Sequence, residues 1–181
     1  MLKNRKVAII ICVIVVALSI FSGARRSLSE VIRETEDAFV YGVAGDGQSI
    51  YHDLNTRAQL ANNLVTVAER YLDPDEDVVA DVRVAAAKLQ RESRPGVCYD
   101  LNADLTEALS ALNAALLNEE LTETDEGYRQ GIMTDLTSYA YTIAHDGYND
   151  LVRELNEDTL KDFPARILKI LTLVGNAEYY G

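Results

Sequence analysis

The chain has 181 residues, enough for one ordinary domain and an appendage. Of its 17 basic residues five (Lys3, Arg5, Lys6, Arg25 and Arg26) precede Ser27, while all 29 acidic residues lie at or beyond Glu30, so the body from Ser27 onward holds 12 bases against 29 acids, a net charge near −17. A body that acidic repels phosphate backbones and anionic headgroups, which argues against nucleic-acid binding and against docking on an anionic lipid surface.

At the amino end, basic residues precede an apolar run from Val7 to Phe21 that only Ser19 interrupts, and Arg25 and Arg26 follow it. As a helix rising about 1.5 Å per residue, Val7 to Ala24 spans roughly 27 Å, just enough to cross a bilayer core. The small residues of Ser22-Gly23-Ala24 open a rival reading, a signal peptide cleaved after Ala24. The arginine pair directly behind that site and the length of the run favour an uncleaved anchor. Lys3, Arg5, Lys6 and the terminal amine outweigh the two arginines and the acidic flank beyond, so the expected topology is single-pass in the cell membrane, amino end cytoplasmic and body extracytoplasmic. Residues 1–26 are then the anchor with its short cytoplasmic end, and 27–181 an extracytoplasmic body.

In the body, helical spacing continues from Ser27 to about Tyr41, and the leader is expected to run straight into this helix. The glycine-rich "GVAGDGQ" at 42–48 reads as a loop. From Ser49 the apolar residues Ile50, Leu54, Ala61, Leu64, Ala68 and Tyr71 recur at alternating seven-residue positions up to "LDPDED", where Pro74 suits a new helix start. The next helix, about 75–91, carries Val78, Val82, Ala85 or Ala86 and Leu89. Another, about 102–121, presents Leu105, Ala108, Leu109, Leu112, Ala115 and Leu116. A long helix from about Asp125 to Leu160 offers Ile132, Leu136, Ala140, Ile143, Gly147, Leu151 and Leu155, and "ARILKILTLV" after Pro164 closes the chain as a short apolar helix. No run alternates with period two long enough to demand a sheet. The expected fold is all-α, an N-terminal transmembrane helix followed by an antiparallel, up-and-down helical bundle.

Chemical motifs are sparse. The chain has two histidines, His52 and His145, and two cysteines, Cys12 inside the apolar run and Cys98 after the "RPG" turn. Neither a zinc site nor an internal disulfide is expected, and Cys98 reads as a lone, partly buried thiol. The acidic cluster Asp73, Asp75, Glu76 and Asp77 lacks the ligand spacing of a calcium loop and reads as a solvated helix start. No phosphate loop, dinucleotide fingerprint or nucleophile elbow is present, so neither a metal nor another cofactor is expected.

A second stripe runs beside the last apolar face of the long helix: His145, Asn149, Val152 and Asn156, at spacings of four, three and four. Arg57 lies in the apolar seam of the helix that begins at Ile50, and Asn63 on its flank. If those two helices pack together, these polar groups are placed to hydrogen-bond across the interface and fix register. The alternatives are a small cleft lined by Arg57, His145 and Asn149, or plain solvation.

The stretch "IYHDLNTRAQLANNLVTVAERYL", through Leu54, Arg57, Leu60, Asn63, Leu64, Val65 and Tyr71, resembles the core motif of the LemA family. The Tyr148, Asn149, Val152 and Asn156 set and the closing Phe163-Pro164 segment are similar to later motifs of that family. Tyr51 and Gln59 stand where aspartates are frequent, His145 where arginine is usual, and the 42–48 loop looks like an insertion, so the chain resembles a divergent branch. The resemblance implies a membrane-anchored, extracytoplasmic helical bundle with no established catalytic residues. The leading expectation is a non-catalytic interaction or scaffold protein with protein partners in the cell envelope, its self-association open. A ligand-binding sensor using the polar stripe comes next, and a hydrolase with an acid pair after it.

Overall fold

A computed structural model describes residues 5–181; the first four, Lys3 among them, lie outside the described residues. Helix α1 (Arg5–Tyr41) is followed by α2 (Ile50–Ala68), α3 (Asp77–Leu89), α4 (Pro95–Leu116), α5 (Glu123–Ala144), α6 (Tyr148–Arg153), a π-helical turn (Glu154–Thr159) and α7 (Ala165–Thr172). No strand occurs among the described residues, so the fold is all-α as the periodicity predicts. The chain forms two compact units, one of residues up to Glu36 with Asp150–Ala177, the other of Asp37–Asn149 with Glu178–Gly181.

In the larger unit α2 is the central helix, packed against α3, α4 and α5. Its buried stripe, Leu54, Ala58, Ala61, Leu64 and Ala68, keeps the spacing of one helical face. Facing stripes come from Val79, Val82 and Ala86 of α3, from Leu105, Leu109, Leu112 and Leu116 of α4, and from Leu136 and Ile143 of α5. The pairing of α2 with α5 is antiparallel. Past the end of α2, Arg70 and the Tyr71 hydroxyl each donate at 2.6 Å to Asp125 in the first turn of α5. Earlier in α2, Arg57 meets Leu136, more than two turns further along α5. Thr122 caps α5 by accepting from the Asp125 amide.

Helix α4 starts at Pro95, one turn and more before the predicted residue 102. The proline is its first residue, where a missing N–H is harmless, and the Glu178 carboxylate accepts from the amide of Gly96 at 3.2 Å. A Cβ at Gly96 would lie 2.7 Å from that same carboxylate oxygen. Cys98 on α4 is a free, buried thiol, and burial raises its pKa to about 11.

The predicted long helix Asp125–Leu160 is divided. Helix α5 ends at Ala144, and Asp146 accepts from the Tyr148 amide at 2.8 Å to open α6. The Asp146-Gly147 pair therefore acts as a turn and cap, and local chemistry overrides the apolar spacing that runs through it.

Helix α1 is one unbroken helix of 37 residues, so the apolar run continues as helix through residues 27–41. Its stretch from Val7 is long and apolar enough to cross a membrane, and none of its most apolar window is buried in protein.

Candidate functional site

At one end of the larger unit the α1–α2 loop and the end of α5 enclose a cleft of about 800 Å³ lined by Asp46, His52, Asp53, Tyr139, Tyr141, His145 and Asp146, among others. Both histidines of the chain are here. The loop is built by its glycines: Gly42, Gly45 and Gly47 all have positive φ, and a Cβ at Gly42 would fall 2.2 Å from the Gln48 carbonyl oxygen. Ser49 closes it by donating to the Val40 carbonyl at 2.9 Å and accepting from the His52 amide at 3.1 Å, which caps α2. Across the cleft His145 caps α5, its Nδ1 lies 2.8 Å from the Tyr141 carbonyl, and its ring stacks on Tyr141 with centroids 4.0 Å apart.

Asp53 is the unusual member. It is only 9 % exposed as a residue, and its carboxylate opens onto the cleft rather than onto a salt-bridge partner among the described residues. Burial pushes its carboxyl above the ordinary range, the neighbouring Asp146 adds to the rise, and His52 opposes it. Burial raises Asp146 as well, against the hydrogen bond from the Tyr148 amide. A cleft with three aspartates attracts positive charge, and the exposed ring of Tyr141 beside them suits an organic cation. Among the described residues no three His, Cys, Asp or Glu side chains converge as a metal site.

The residues of the predicted polar stripe go to different places. His145 lines the cleft. Tyr148 is fully buried, packs its ring 5.5 Å from that of Phe39, and donates its hydroxyl to the Glu178 carbonyl at 2.6 Å. Asn149 donates to the Tyr180 carbonyl at 2.8 Å and accepts from the Tyr180 amide at 2.9 Å. In the smaller unit Asn156 treats Ala177 the same way, at 2.9 and 3.0 Å. Each asparagine amide thus imitates a peptide group and satisfies both backbone groups of one extended residue near the carboxyl end. That is the work of the stripe's two asparagines.

Arg57 and Asn63 take no part in it. Arg57 is buried, its guanidinium donating to the Leu136 carbonyl at 2.7 Å and to the Thr106 hydroxyl at 2.9 Å, while its Nε has no partner. One side chain therefore ties α2 to α4 and α5. Burial pulls its pKa below the ordinary value, though a guanidinium stays charged. Asn63 is solvent-exposed. The cavity beside Arg57, about 300 Å³, contains neither His145 nor Asn149, and the cleft at His145 contains neither Arg57 nor Asn149.

The cleft residue that sequence reasoning passed over is Asp53. Its signal was position, because it sits four residues before Arg57 and beside Leu54 on the buried stripe of α2, where an aspartate needs a reason.

A helical bundle centred on α2, with buried arginine and asparagine ties and a long apolar leading helix, defines the class. Residues 47–181 match the model of the LemA family, and the chain belongs to that family. The match begins inside the glycine loop, so α1 and the start of the cleft wall precede it. Neither a curated protein nor a solved structure matches the chain.

Proposed function

We propose that this LemA-family chain is a single-pass membrane protein with a cytoplasmic amino end, whose acidic helical body works outside the cytoplasm as a non-catalytic interaction scaffold for protein partners of the cell envelope. The observation that carries this reading is the unbroken α1, whose apolar stretch lacks any protein cover and leads into the body without a linker. An uncovered apolar helix of that length is stable when lipid replaces water around it. In fractionated cells expressing the full chain, we expect a membrane-held species of full mass whose body is digested by protease once the outer barriers are opened. A soluble species beginning at Arg25 would overturn the anchor.

The cleft-facing Asp53 favours a second reading, a ligand-binding sensor whose cleft takes a small organic ammonium ion. A carboxyl raised in the folded state favours folding below its unfolded pKa, and that contribution is lost as the pH rises through the raised value. Asp53→Asn is therefore expected to raise the melting temperature at pH 7, with the gain over the parent closing as the pH falls to about 4. Spermidine or choline should raise the melting temperature of the parent and leave the variant unmoved. A variant that melts no higher than the parent at pH 7, or a parent indifferent to both amines, would remove the cation reading.

A further inference from the structure

Helix α7 is amphipathic in the wrong sense for a core helix. Ile167, Ile170 and Leu171, at the i, i+3 and i+4 positions of one face, are 49, 65 and 62 % exposed, while Thr172 is buried and Leu168 half-buried. Phe163 and Leu173, flanking the helix, are 81 and 86 % exposed. Thr172 and Leu168 face the protein, and the three aliphatics Ile167, Ile170 and Leu171 face out.

Position and charge say what covers this face. The Arg25 guanidinium, the first charge after the apolar run of α1, donates to the Thr172 carbonyl at the end of α7 at 3.4 Å. Residues 173–176 then line a small cavity together with Arg25, Ser29 and Ile32 of α1. An eight-residue helix is about 12 Å long, so all of α7 lies within roughly that distance of the level at which the apolar run ends. The polar and interfacial zone of a bilayer is several ångströms deep on each side, which places the exposed face within reach of it. Local charge also reverses: between Lys161 and Asn176 three bases, Lys161, Arg166 and Lys169, stand against the single acid Asp162, in a body of strongly negative net charge.

We infer that α7 is an interfacial membrane helix, its Ile167–Ile170–Leu171 face inserted at the headgroup level of the bilayer that α1 crosses and its bases set against anionic lipid headgroups. This rests on the anchor reading above. The second contact gives the smaller unit two points of attachment to the bilayer, the crossing helix and the interfacial one. It also reconciles a chain that as a whole repels anionic lipid with a local patch that attracts it.

The chain contains no tryptophan, so single reporters can be introduced. The full-length variants Phe21→Trp and Leu171→Trp would be reconstituted into phosphatidylcholine–phosphatidylglycerol vesicles with brominated acyl chains. Both tryptophans should lose most of their fluorescence to the lipid, and Leu171→Trp should resist aqueous acrylamide. Quenching of Phe21→Trp with Leu171→Trp answering only to acrylamide would overturn the interfacial helix and leave the anchor standing. Shielding of Leu171→Trp from both quenchers would mean protein, such as a second copy of the chain, covers the face, and would equally overturn it. If neither tryptophan meets lipid, the anchor reading fails and takes this one with it. Equal quenching of Leu171→Trp on purely zwitterionic vesicles would overturn the assignment of anionic headgroups.

Discussion

Asn156→Asp is expected to cost more stability at neutral pH than Asn156→Ala, although it changes a single nitrogen to oxygen. The asparagine amide gives a donor to the Ala177 carbonyl and an acceptor to the Ala177 amide, in a site where it is only 5 % exposed. Alanine removes both bonds and leaves two buried backbone groups bare, a loss of about 2–3 kcal/mol. Aspartate keeps the acceptor but aims a second oxygen at the carbonyl, so the site must either hold a desolvated charge against a like dipole or take up a proton, and roughly 3–4 kcal/mol is the expected loss at pH 7. The two variants separate with pH. A protonated aspartic acid can donate to the carbonyl, so its folded-state pKa lies above the unfolded value of about 3.9 and the paired state is restored as the pH falls toward it. Measured against the parent at each pH, Asn156→Asp should be the worse variant at pH 7 and the better one near pH 4. Amide hydrogen exchange over the peptide containing Ala177 reports the same change locally. Two variants of equal stability, with no pH dependence between them, would mean that the two-point clasp on Ala177 does not form.

The elements that could be read from sequence are those whose cause is local. The apolar run of α1, the stripe of α2 and the leucines of α4 each fix an element through spacing within one segment. What escaped depends on distant partners or on competition. The asparagine clasps join residues 21 and 31 positions apart, and nothing near Asn149 or Asn156 announces that an extended carboxyl end will lie against them. From the helix alone they look like interhelical or solvated groups. The break at His145–Gly147 was legible in principle, because Asp-Gly is a turn signal. The apolar spacing on both sides hid it, and a cap on Tyr148 decided the outcome. The cleft required two such features at once, the glycine loop and the end of α5, brought together by the antiparallel pairing of α2 and α5. Its key residue, Asp53, was visible only as an aspartate out of place on a buried stripe.

Arg57 raises the larger question about the bundle, because a buried cation with no carboxylate beside it should be a liability. Taking a charge out of water costs several kcal/mol, and here two hydrogen bonds, to the Leu136 carbonyl and the Thr106 hydroxyl, must offset it. Bonds from a charged donor are worth about 1.5–3 kcal/mol each, so the two roughly balance the burial, and the net gain lies in geometry. A planar fork that reaches α4 and α5 from α2 accepts one relative register of the three helices. Arg57→Ala removes the fork and leaves a hole beside an existing cavity, with an expected loss of about 3 kcal/mol, or some 6–12 °C in melting temperature for a chain of this size. Arg57→Lys should be as damaging, since a point charge cannot reach both partners and remains buried. Arg57→Met separates the two roles of the side chain. It fills the volume, removes the desolvated charge and cannot bond, so it should recover part of the alanine loss yet stay below the parent by about 1–2 kcal/mol. If the methionine variant melts at or above the parent with a single sharp transition, then filling space between the helices suffices, and the arginine is not what pins their register.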